Sequence, residues 1–104
     1  MQTQRQYRHG DVLLSEVARV PDKATPEARE GDVILAKGEV TGHAHRIASP
    51  MARVMVAERT RYLVVEAPVV LDHEEHGPVT IPKGIFEVVL QCEYVPGAVR
   101  NVAD

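Results

Sequence analysis

Ile85-Phe86-Glu87-Val88-Val89-Leu90-Gln91-Cys92-Glu93-Tyr94-Val95 decides the fold class. Phe86, Val88, Leu90, Cys92 and Tyr94 alternate with Glu87, Gln91 and Glu93, the period of two that a strand with one buried face requires. Working outward from this segment, short β-branched apolar runs recur between glycines and prolines, predicting strands over 11–17, 32–40, 43–48, 53–58, 62–71, 79–81 and 85–95. Thr25-Pro26-Glu27 resembles a helix N-cap followed by proline at the first helical position, yet Gly31-Asp32 arrives before more than about two turns have formed. A short helix or a loop is expected there. The whole is expected to be all-β: a single domain over residues 1–104, a small barrel or sandwich with at most one short helix.

The 104 residues suffice to bury roughly two-thirds of the unfolded surface without a disulfide or a structural metal. A formal charge of −3 offers no basic excess for polyanions, so nucleic acid is an unlikely partner. Arg59-Thr60-Arg61-Tyr62 could contact a phosphate backbone, but four aromatic residues in the chain supply a poor stacking platform. Cys92 is the one cysteine, which excludes an internal disulfide and a multi-cysteine zinc site. Its apolar run suggests a buried, inert thiol and a reducing cytoplasm. No apolar stretch approaches the roughly twenty residues of a membrane span, and none is expected.

The chemistry concentrates in histidine. Four of the five histidines fall in two clusters, Gly42-His43-Ala44-His45-Arg46 and Leu71-Asp72-His73-Glu74-Glu75-His76-Gly77-Pro78. On an extended strand, His43 and His45 share a face with Cα atoms about 7 Å apart, within reach of one ion. His73 and His76 end at a Gly-Pro turn, so they belong to a loop. If that loop folds back on His43 and His45, three imidazoles and a water make a tetrahedral site for a divalent transition metal such as zinc, iron or nickel. The competing reading is a polar strand face beside a solvated acidic turn. A local echo joins His9-Gly10-Asp11-Val12 to Glu30-Gly31-Asp32-Val33. Here the glycine is read as supplying an unusual backbone angle and the aspartate as bonding nearby amides, with His9 as a turn residue.

Arg8-His9-Gly10-Asp11-Val12-Leu13-Leu14, Gly38-Glu39-Val40-Thr41-Gly42-His43-Ala44-His45-Arg46, His73-Glu74-Glu75-His76-Gly77-Pro78 and Ile81-Pro82-Lys83-Gly84 together resemble a family of short bacterial and phage-associated proteins without an assigned function. The likeness spans most of the chain and implies no activity. Where that family typically has Gln-Arg-Glu-Tyr, this chain has Gln91-Cys92-Glu93-Tyr94. A weaker likeness is to the cupins, small β-barrels that hold a divalent metal with a histidine-x-histidine pair and a later histidine. His43-Ala44-His45 matches the pair. Ser49 and Pro50 stand where the glutamate of that motif belongs, and Glu39 lies on the other side. Gly77, Pro82, Gly84, Glu87 and Gln91 imitate the second cupin motif one residue short. The resemblance thereby puts Glu87 in the place of the third ligand, beside His43 and His45.

No nucleophile elbow and no phosphate-cradling glycine loop is present, so covalent catalysis and nucleotide hydrolysis are set aside. Two functions remain. One is a cupin-like metal protein with His43, His45, His73, His76 and Glu87 as candidate ligands and a small molecule as its partner in chemistry. The other is a non-enzymatic accessory module, in which the final strand templates a homodimer or binds another protein along its edge. Catalytic residues are not identifiable in either.

Overall fold

The computed structural model describes residues 5–37, 43–95 and 98–101, with the backbone alone for 92–95 and 98–101. It is all-β, with no helix among the described residues. The principal layer is an open antiparallel sheet of six strands, in the order β1 (Gln6–His9), β2 (Val12–Val17), β10 (Gly84–Leu90), β7 (Thr60–Val65), β6 (Ala52–Ala57) and β3 (Thr25–Pro26). The opposing layer consists of two ladders, β4 (Val33–Lys37) with β5 (Ala44–Ile47) and β8 (Val69–Leu71) with β9 (Val79–Ile81). An Arg46–Asp72 bridge, with a 2.9 Å amide bond in each direction, joins β5 to β8. The arrangement is a sandwich rather than a closed barrel.

One core fills the space between the layers. Val12, Leu14, Leu63 and Phe86 from the large sheet meet Leu35, Ile47, Leu71 and Ile81 from the ladders, and each is almost completely buried. The alternation read in the sequence sorts the faces. In β4 the inward Val33 and Leu35 are buried while Ile34 between them is 39% exposed. In β10, Phe86 is buried on the inner face and Glu87, in register with Ser15 and Tyr62, projects from the outer one.

Several sequence expectations require correction. The largely polar segment Gln6–His9 forms a strand, because pairing with Val12–Ser15 satisfies its backbone while Tyr7 packs against Phe86. The strand expected over 62–71 is two, β7 and β8, which lie in different layers. Ala67-Pro68 separates them, and proline cannot donate to a ladder. The strand expected over 85–95 also divides, at Gln91, into β10 and β11 (Cys92–Val95), the latter pairing with β12 (Ala98–Asn101). Thr25–Pro26 pairs with Val56 and Met55 instead of opening a helix. Strand β10 is interior to the large sheet, paired with β2 on one side and β7 on the other. The expectations for Glu39, for the Cys92 thiol and for the Tyr94 side chain lie outside the described residues.

A bulge shapes the second layer. Ile34 pairs with Arg46 and Ala36 with His45, so Leu35 is an extra residue on β4. Such an insertion disrupts the ladder, and Arg61 supplies donors to the neighbouring carbonyls: Nη1 donates to Leu35 O and Nη2 to Ile34 O, both at 2.8 Å. The guanidinium is held in turn by Glu27. Arg61, a candidate phosphate contact in the sequence, is thereby engaged inside the fold.

Candidate metal centre

All five histidines of the chain converge at one end of the sandwich, where the β1–β2 hairpin, the start of β5 and the 73–77 turn meet. Ring centroids lie 4.9 Å apart for His9–His45, 4.4 Å for His45–His73, 4.5 Å for His73–His76 and 5.6 Å for His43–His73. The two clusters read in the sequence therefore meet in space.

Each segment is delivered by local chemistry. Gly10 and Asp11 make the two-residue loop of the first hairpin, and Gly10 has φ of +62°, the positive value that such a turn favours at its first central position. His9 is in register with the buried Val12, so its ring enters the interior at 4% exposure. His45 sits on the inner face of β5 and is completely buried. The 73–77 turn is organised by its own side chains. Asp72 Oδ1 accepts the His73 amide at 2.9 Å, and His73 Nδ1 accepts the amides of Glu75 at 2.9 Å and His76 at 3.3 Å. Glu74 extends the β5–β8 seam beyond its last backbone bond: Oε2 accepts the Ala44 amide at 2.9 Å and Oε1 accepts Arg46 Nη2 at 2.8 Å. The Ala44 amide is the largest influence holding the Glu74 carboxyl below its ordinary range, with Arg46 assisting. His43 Nδ1 lies 3.2 Å from Glu75 Oε1 at the rim.

Proton positions follow from the acceptors. A carbonyl oxygen only accepts, so the 2.8 Å contact between His9 Nε2 and Gly77 O places the His9 proton on Nε2 and leaves the Nδ1 lone pair facing inward. Burial is the main cause that pushes His9 below its ordinary value of 6.5, which favours this neutral ring, while the Gly77 carbonyl pulls the other way. His45 Nε2 lies 3.2 Å from Asp11 Oδ1. His9 Nδ1 and His45 Nδ1 then stand 2.8 Å apart. With the His9 proton on Nε2, this contact is a hydrogen bond that His45 Nδ1 donates and His9 Nδ1 accepts.

Two sets of side chains have ligand atoms within 4.8 Å of one another: His45, His73 and His76, and, nearer the surface, His43, His73 and Glu74. Of the residues singled out in the sequence, His43, His45, His73 and His76 are brought together. Glu87 is not among them, because it projects from the opposite face of the large sheet to His9. The sequence reading missed His9, taken for a turn residue, and Asp11, taken as bonding nearby amides. The usable signal was register: a histidine immediately before a Gly-Asp hairpin lies opposite the first apolar residue of the next strand.

The profile of a family described as "Domain of unknown function (DUF8820)" matches residues 8–91, from the first histidine strand through the end of β10. The chain belongs to that family. The matched region contains every histidine and Asp11. No curated protein and no solved structure matches the chain.

Proposed function

We propose that this DUF8820 protein binds one divalent transition metal in the histidine cluster, with His45, His73 and His76 as the nearest set of ligands. The observation that carries the reading is their convergence within 4.8 Å in a largely buried site. Imidazole donors suit zinc, iron or nickel, and none of these prefers an all-imidazole site less than magnesium or calcium does. Three imidazoles leave one tetrahedral position for water or a small molecule. The Nδ1 atom of His73 accepts two amides, so its neutral ring carries the proton on Nε2, and ligation through Nε2 requires that proton to move to Nδ1 with loss of the amide bonds. A reducing cytoplasm suits a chain with one cysteine.

The test is metal content of untagged protein, followed by calorimetric titration of the metal-free form with zinc and nickel. About one ion per chain is expected, and His45→Ala and His73→Ala should each lose most of the affinity while keeping the β circular-dichroism signal. Protein that ignores both metals, or variants that bind as the parent does, would refute the assignment.

A further inference from the structure

We infer that His43, His73 and Glu74 form a second, outer position for a divalent transition metal, through which the ion reaches His45, His73 and His76. The inference rests on the metal reading above and deepens it by assigning the route of uptake. The ligand atoms of the outer set lie within 4.8 Å of one another, as those of the inner set do. Both sets include His73. A neutral imidazole carries one lone pair, so His73 serves one ion at a time and the two positions fill in turn.

Burial orders the two positions. The side chain of His43 is 30% exposed and that of Glu74 39%, whereas His73 is buried and His45 completely so. Taking a cation out of water without partners is costly, and donors that replace its waters one after another lower that cost. Ring centroids 5.6 Å apart for His43–His73 and 4.4 Å apart for His73–His45 make a continuous path from the rim to the interior. Charge separates the positions as well. Glu74 contributes a carboxylate that the inner set lacks, and Glu75 Oε1, 3.2 Å from His43 Nδ1, adds another at the rim. Each Glu74 oxygen accepts one hydrogen bond, from the Ala44 amide or from Arg46, and keeps a further lone pair for an ion. The Arg46 guanidinium, 2.8 Å from Glu74 Oε1, repels a cation held there. The outer position therefore attracts an ion yet releases it inward, as a site of passage requires.

The experiment mixes the metal-free intact chain with cobalt in a stopped-flow spectrometer and follows the visible absorption of the bound ion. His43→Ala and Glu74→Gln should each slow uptake by about tenfold or more, while one ion per chain still binds with an affinity within about threefold of the parent. His43→Ala removes no carboxylate, so slowing there is not a loss of rim charge. Glutamine at position 74 keeps an oxygen for the Ala44 amide. A further measurement needs neither variant: His45→Ala, titrated with zinc, should bind weakly and shift the nuclear-resonance signals of the His43 ring nitrogens and the Glu74 carboxyl carbon. An unaltered uptake rate in either folded variant, or zinc binding to His45→Ala that leaves His43 and Glu74 undisturbed, would overturn the outer position while the inner set stands. A parent chain that takes up neither metal would overturn both.

Discussion

Gly10 shows how one missing carbon sets the geometry of the centre. A Cβ built at this position would lie 2.7 Å from His76 Nε2 and 2.8 Å from His45 Cε1, and the backbone φ of +62° already disfavours any L side chain. Gly31 has φ of +80° with nothing within 4 Å of the same built atom, so it separates the two effects. Gly10→Ala and Gly31→Ala should each lose about 1 kcal/mol from backbone strain, measured by urea unfolding of the metal-free protein. Only Gly10→Ala should also lower zinc affinity, because the methyl group displaces the His76 and His45 rings. Equal affinities in the two variants would show that the glycine serves the turn and not the cluster.

At the scale of elements, β10 is the strand on which the large sheet depends. Val88 is in register with Leu14 on one side and Arg61 on the other, so a proline there removes a ladder donor inside the sheet and strands its acceptor. Val88→Pro should cost at least about 3 kcal/mol or abolish cooperative unfolding, judged by circular dichroism through a urea titration. A loss below 1 kcal/mol would be inconsistent with β10 as a doubly paired strand. The strand class was legible because Phe86 and Glu87 keep the period of two, and Val33 and Leu35 repeat it on β4. Strand ends were less legible. Tyr7 is the one apolar residue of Gln6–His9, too little for a pattern although it packs on Phe86, and the break at Gln91 interrupts an alternation that continues through it. The bulge at Leu35 was also invisible, since it is defined by register against β5 and by Arg61 from a distant strand.

At the scale of the whole molecule, the candidate centre joins parts of the chain that the sequence separates. The meeting of 43–45 with 73–76 was expected as a condition of chemistry, and the Arg46–Asp72 bridge and Glu74 realise it by zipping β5 to β8 just beside the histidines. His9 escaped notice because its approach depends on which face of a hairpin turns inward, a property of the assembled sandwich. An ion held by His45, His73 and His76 would tie β5 to the 73–77 turn, so binding should stabilise the fold as a unit. At free zinc 100 times the dissociation constant, linkage contributes about 2.7 kcal/mol. For a domain near 100 residues, each kcal/mol moves the melting midpoint by about 4–8 °C, so a rise of roughly 10–20 °C is expected. The midpoint should return to its starting value on adding a chelator. His45→Ala, which removes the most buried ligand, should show almost no rise under the same conditions. An equal rise in that variant would mean that zinc acts elsewhere on the surface, because a ligand stabilises the folded state only through the site it occupies.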